Sequence, residues 1–230
     1  VDAQRIFAAG VEYLLLLVSL SAREAFKGWT AELCGDSTGR LLGRITLNPL
    51  RHLELVGSII LPAILLFFGA PVFGWGRPVP VLEKNLRDPY RDGLLIAAAG
   101  SFCSGMLTLL GIVGLLVAVR MTGDAGGEAA TWALFHQWKQ VGAPHFPVMF
   151  TLTGLVTVNA FLTVFHLIPL PPLDGGRIAL YLLPEDWAGK LAAIRPAGFM
   201  IGMALALLLV GVLVLPILFG ILSALIQFVA

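Results

Sequence analysis

The chain has 230 residues, of which 58% are hydrophobic and only 13% charged, with a formal charge of +1 and a mean hydropathy of +0.90. That balance excludes an ordinary soluble domain of this length, and near-neutrality gives no reason to expect a nucleic-acid partner. Two cysteines, Cys34 and Cys103, are too few for a disulfide framework and are expected to be packing thiols.

Nearly all charges fall within residues 23–54, 77–92, 120–140 and 174–195. Between them run apolar segments of the length that crosses a hydrocarbon core, about 20 residues of helix. Membrane helices are predicted over 5–22 (continuing as helix to about 33), 54–73, 93–119, 147–168 and 197–228. A shorter helix over 178–194 carries Glu185, Asp186, Lys190 and Arg195, and is expected to lie at the interface or to be half inserted. The expected fold is therefore an all-α polytopic membrane protein of five to six transmembrane helices, one domain over residues 1–230. Within these residues no soluble appendage of domain size is expected, because the longest polar loop, Thr122 to Pro147, is only about 26 residues. The apolar run Val11 to Leu20 lacks a basic leader beyond Arg5 and continues without a break into the next turns, so it is expected to be a retained helix rather than a cleaved signal. Basic residues in the first two loops are nearly matched by acids, and the positive-inside count does not choose an orientation.

Taken in chain order, the first predicted helix carries Arg23, Glu24 and Lys27, with Arg23 and Lys27 at i and i+4 on one face. Next come Ala31-Glu32-Leu33-Cys34-Gly35-Asp36 and Gly43-Arg44-Ile45-Thr46-Leu47-Asn48-Pro49-Leu50-Arg51-His52, then Gly74-Trp75-Gly76-Arg77-Pro78-Val79-Pro80-Val81. The alternating prolines of Pro78, Val79, Pro80 and Val81 remove backbone donors and predict a short extended segment, able to accept pairing along one side. The alternative is a rigid turn between two spans. Further on, Pro169, Pro171 and Pro172 end a helix, and Gly175-Gly176 are expected to allow the sharp turn that aims Asp174 inward. That turn breaks the helical run at Leu173-Asp174-Gly175-Gly176, and at membrane depth it must be covered by protein, here by the first helix.

These blocks resemble, in order and spacing over about residues 10–180, the compact bacterial branch of the site-2 protease family, which cuts substrates inside the bilayer. The resemblance implies a zinc helix of the His-Glu-x-x-His type, in which two imidazoles one turn apart hold Zn²⁺ and the glutamate activates a water. Arg23 and Lys27 stand where the two histidines would be, and Glu24 is present. Arginine has no lone pair to offer, and lysine ligates only after losing its proton. The third ligand of the family maps to Asp174, which is intact. Where the family has Ala-Gly-Pro followed by an asparagine, this chain has Ala99-Gly100-Ser101-Phe102-Cys103-Ser104. His166 replaces an asparagine thought to face substrate, whereas Asn159 matches the family.

The expected site is thus a vestigial one made of Arg23, Glu24, Lys27, Asn159, His166 and Asp174, with no metal and no cofactor. Two cations against two carboxylates sum to zero, as zinc against the same carboxylates would. A buried aspartate without zinc must be neutral or meet a cation, so Arg23 or Lys27 is expected to bridge to Asp174. The competing expectation is that both cations snorkel to the interface. An alternative, active protein would hold a displaced metal on Glu24, His166 and Asp174. His52 is expected to orient structure, and His136 and His145 carry no pattern.

The function expected from the sequence is that of a catalytically inactive, site-2-protease-like protein, a pseudoprotease in the bacterial inner membrane. It would act as a binding or structural accessory subunit, with other integral membrane proteins as partners in a hetero-complex within the lipid bilayer. Small residues in the last span, Gly202, Ala204, Ala206, Gly211 and Gly220, mark a face for close helix approach.

Overall fold

The computed structural model describes residues 3–67, 72–135, 137, 146–171, 173–193, 202, 204 and 207–230. The positions of His136, His145, Pro172 and Ala206, and parts of the expected spans at 68–71 and 197–206, lie outside the described residues. Helix α1 runs over Ala3–Leu33, followed by the single turn α2, Thr38–Leu41. A π-helical stretch, Leu55–Ile60, leads into α3, Leu61–Phe67. Then come α4, Pro89–Thr122, α5, Asp124–Leu134, and α6, Phe146–His166. Helices α7, Asp174–Leu182, and α8, Glu185–Ala192, are short, and a π-helical turn at Val210–Val214 leads into α9, Leu215–Val229.

Among the described residues the structure is helical with no strand, and three helices are long and apolar enough to cross a membrane: Pro89–Thr122, Pro147–His166 and Leu207–Val229. Helix α4 begins four residues ahead of the span predicted from residue 93, at a local start signal. Pro89 sits in the first turn, and Asp88 accepts hydrogen bonds from the Tyr90 and Arg91 amides. It is the hub of the fold, packing against α1, α6, α7, α5 and α9, while α1, α4 and α6 also pack on one another.

Three expectations need correction. Among the described residues the span predicted over 54–73 is helical over Leu55–Phe67, about 20 Å at 1.5 Å per residue, and non-helical from Val72 on, as far as Val81. Its π-helical start is seated by Gly57, whose missing side chain makes room for the Trp75 ring. The helix predicted over 178–194 is two helices, because Pro184 forces Leu183 into an extended conformation (φ −79°, ψ 149°). The polar loop from Thr122 to Pro147 contains α5, whose Gly126, Gly127, Ala129, Ala130 and Ala133 are buried. Small side chains let α5 lie close against α4, α6 and α9.

The largest apolar core lies at this end of the bundle: Leu115 and Val119 of α4, Ala130 and Leu134 of α5, Phe150 and Val156 of α6, and Leu222 and Ile226 of α9. A separate cluster of Phe73, Phe165 and Leu173 sits under the non-helical run before α7. Phe161 and Phe165 stack there at 5.7 Å.

Candidate functional site

The site forms where α1, α4 and α7 meet. Helix α6 ends at His166, short of Pro169, and α7 begins with Asp174 in its first turn. Gly175 and Gly176 are not in a left-handed conformation, contrary to the turn role expected of them. They are needed for close approach: a methyl group on Gly175 would strike the Leu167 carbonyl, and one on Gly176 the Leu170–Pro171 backbone. The start of α7 is thereby tucked beneath its own lead-in, and Asp174 is buried against α1.

Both cations of α1 reach Asp174. Arg23 Nη2 lies 2.7 Å from Oδ2 and Lys27 Nζ lies 2.6 Å from Oδ1, so each carboxylate oxygen meets its own cation. Arg23 does not snorkel: its side chain is 1% exposed. Its other terminal nitrogen donates to the Gly100 carbonyl (3.1 Å) and to Ser104 Oγ (2.6 Å), and Ser101 Oγ donates to Asp174 Oδ2 (3.1 Å). Gly100 is also a space-maker, since a methyl group there would collide with the Lys27 stem. Arg23 thus ties α1, α4 and α7 into one polar knot.

Lys27 is looser, with a side chain 16% exposed, and its contact with Glu24 Oε1 is longer, at 3.3 Å. The other oxygen of Glu24, Oε2, accepts the backbone N–H of Val79 at 2.8 Å. One carboxylate therefore links the ion cluster to the Pro78–Val81 run. Within that run Pro78 and Pro80 are exposed and Val81 is half-buried, while Val79 is buried with its side chain over Gly28 and Gly39. The run is stapled from the α1 side. Arg44 Nη2 donates to the Arg77 carbonyl (2.6 Å), the Arg77 amide donates to the His52 carbonyl (2.7 Å), and the Leu82 amide donates to Asp36 Oδ2 (2.7 Å). His52 orients this loop as expected, its Nε2 lying 2.9 Å from the Thr46 carbonyl. Burial pushes the Asp36 carboxyl up, but hydrogen bonds from the Thr38 hydroxyl, the Asn85 side chain and the Leu82 and Thr38 amides outweigh it and hold the group below the usual carboxylate range.

Two of the expected site residues make their hydrogen bonds outside this knot. Asn159 is buried on α6 and donates to Ser19 Oγ (3.0 Å) and to the Leu155 carbonyl (2.9 Å), joining α6 to α1. His166 Nδ1 lies 2.9 Å from the Leu162 carbonyl one turn back, and the ring sits edge-on to Phe165. Among the described residues, no three His, Cys, Asp or Glu side chains come together as a metal-binding group, so Glu24, His166 and Asp174 do not form the displaced site considered above. Sequence reasoning noted Ser101 and Ser104 only as departures from a motif. Their spacing of three places both on one face with Gly100, and a buried guanidinium with five donors needs acceptors of that kind.

No family model matches the chain, and no solved structure matches it. It is 31% identical over 194 residues to a Bacillus subtilis (strain 168) protein named "Putative zinc metalloprotease YwhC", covering 84% of this chain and 78% of that one. Proteins of Streptococcus pyogenes serotypes M3 and M6 named "Putative zinc metalloprotease" are each 28% identical over 102 residues, 44% of this chain and 22% of theirs. Three helices long and apolar enough to span a bilayer agree with that likeness. The chain belongs to the site-2-protease-like family of zinc metalloproteases that includes the Bacillus protein.

Proposed function

We propose that this member of the family is a pseudoprotease: a membrane protein that keeps the architecture of an intramembrane metalloprotease, binds other membrane proteins and does not cut them. The observation that carries this reading is the double capping of Asp174 by Arg23 and Lys27. The residues do not fit a zinc ion. Two of the three ligand positions hold cations, and the third has both oxygens engaged by those cations. A lone remaining carboxylate does not hold catalytic zinc against water. Glu24, which in a catalytic relative would activate a metal-bound water, is instead engaged with Lys27 and the Val79 amide.

In this reading α1 and the Leu55–Phe67 segment complete a membrane domain of five to six crossings in a bacterial inner membrane, within a hetero-complex. The Pro78–Val81 run serves as the docking edge for an extended segment of a partner. The last span supplies a second contact, supported by Gly211 and Gly220, which are exposed with open space where a side chain would stand.

Two measurements on protein purified in mild detergent test this. Metal analysis is expected to give well under one equivalent of zinc, and reconstituted protein is expected to leave a transmembrane model substrate intact. Stoichiometric zinc or cleavage that depends on Glu24 would overturn the proposal. Co-purification of a defined membrane partner supports the accessory role, and a monodisperse protein emerging alone counts against it.

A further inference from the structure

The segment that follows α1 doubles back along it. A methyl group on Gly39 would sit 3.6 Å from Gly28 Cα, and one on Gly76 would sit 3.7 Å from Leu20 Cβ and 3.1 Å from the His52 carbonyl oxygen. Between Gly39 and His52 the chain therefore retraces α1 from the level of Gly28 to that of Leu20, about 12 Å of helix. Helix α6 gives the depth of this fold-back. Its apolar stretch Pro147–His166 has 20 residues, about 30 Å, which matches a hydrocarbon core. It runs in step with α1: Asn159 donates to Ser19 Oγ at 3.0 Å, and a methyl group on Gly154 would strike the Leu15 side chain. Leu20, one residue past Ser19, thus lies about 9 Å inside the His166 end of α6.

The fold-back turns two kinds of side chain outward. Leu47 and Leu50 are 64% and 75% exposed, and the exposed apolar face continues into Leu55 and Val56. At the depth of the last turns of α6 these side chains meet acyl chains. Arg51 and Arg77 are exposed on the same segment. They are brought together because the Arg77 amide donates to the carbonyl of His52, the residue after Arg51. Arg44 is buried behind them, with Nη2 on the Arg77 carbonyl at 2.6 Å and Nε without an acceptor. Among the described residues the ion pairs are Arg23–Asp174, Lys27–Glu24, Lys27–Asp174 and Arg40–Glu32, and none includes these three arginines. Glu54, the acid nearest to Arg51 in sequence, accepts the Gly57 amide instead (2.6 Å). An unpaired cation at this depth is costly unless it reaches an anion near the surface, and the anion a bilayer offers there is phosphate.

We propose that Arg51 and Arg77 hold the headgroup phosphate of an anionic phospholipid whose acyl chains lie over Leu47 and Leu50. Guanidinium groups match phosphate oxygens, and a headgroup with no ammonium of its own leaves that phosphate free for them. The lipid fastens the fold-back to α1 from outside, as Arg44 and His52 fasten it from inside. The site rests on the membrane placement of the chain and holds whether or not the protein cuts peptide bonds.

Two measurements on the full chain test it. In native mass spectrometry from detergent, with phosphatidylglycerol and phosphatidylcholine of the same acyl chains supplied in equal amounts, wild type is expected to retain phosphatidylglycerol in preference, on the order of tenfold. Arg51→Gln with Arg77→Gln is expected to retain the two lipids equally. Neither side chain makes a hydrogen bond or ion pair among the described residues, so the double variant should melt like wild type; if it does not, the single variants carry the test, each with a partial loss. Equal retention by wild type, or an unchanged preference in the folded variants, overturns the proposal. Displacement of the lipid by inorganic phosphate overturns it in favour of a free-anion site. For depth, a nitrobenzoxadiazole label at Leu50→Cys in a Cys103→Ala background is reconstituted into vesicles. Quenching by phosphatidylcholine brominated on its acyl chains is expected, and quenching by aqueous iodide alone would place the segment in water and overturn the site.

Discussion

The two ends of the α1–α4–α6 bundle are built by opposite means. At the end where α5 and α9 join, Leu115, Val119, Ala130, Leu134, Phe150, Val156 and Ile226 pack without a charged group. At the other end Arg23, Glu24 and Asp174 are buried alongside Ser101 and Ser104. The apolar end relies on small residues that bring helices close, and its losses are graded. The polar end relies on matched charge, and removing one member leaves another stranded in a medium that solvates it badly. A fold that needed only stability would have no reason to keep four ionised groups there, which is why the polar end is the one to read for function.

The sharpest way to break the comparison is Arg23→Ala. It strands Asp174 beside Lys27 alone and is expected to cost about 3–5 kcal/mol, read as a loss of thermal stability in detergent. Asp174→Ala should cost as much, and the double variant less than the sum, since the two side chains share one interaction. Lys27→Ala, which removes the more exposed of the two cations, should fall below both. If Arg23→Ala melts like wild type, the polar end is not held by its charges.

At the apolar end Ala130→Leu overpacks the seam where α5 meets the core, with an expected cost of about 1–3 kcal/mol. This change should leave peptide docking at Pro78–Val81 unaltered, since the two ends share no side chain. A change in docking at Pro78–Val81 would show that they are coupled.

The smallest expected effect is in acid. The Asp36 carboxyl is held below its ordinary range in the folded chain, so it binds protons more readily when unfolded. Its stabilisation is complete above the unfolded value near pH 4 and is lost as pH falls through the lower folded value. Asp36→Asn is expected to be less stable than wild type at neutral pH, with the difference shrinking below about pH 4 in detergent melting curves. A difference that does not change with pH would mean that the Thr38, Leu82 and Asn85 contacts do not depend on the charge.

Much of this was legible in residue order. The i, i+4 placement of Arg23 and Lys27, the uncompensated Asp174 and the cost of burying ions together point to the knot that α1 and α7 form. What did not show was whatever depended on packing distance. Gly126, Gly127 and the alanines of α5 look like loop because small residues carry little hydrophobic signal. They become a helix core only when α4, α6 and α9 are close enough to cover them. Gly175 and Gly176 look like turn formers, yet their role is steric clearance from a backbone several residues upstream. Ser101 and Ser104 stood out only as missing family residues, since nothing in their own neighbourhood of sequence announces a guanidinium from another helix.

Helix α4 has 34 residues, about 51 Å of helix against a hydrocarbon core of about 30 Å. Asp92 near one end is buried, and Arg120 near the other is exposed. The apolar stretch between Asp92 and Arg120 alone is about 40 Å long, so an upright α4 would carry apolar surface into the headgroups, and the helix leans or gathers thicker lipid around it. Helices α1, α5, α6, α7 and α9 are packed on this hub. A bilayer of changing thickness would therefore change the tilt of α4 and, through it, of the helices packed against it.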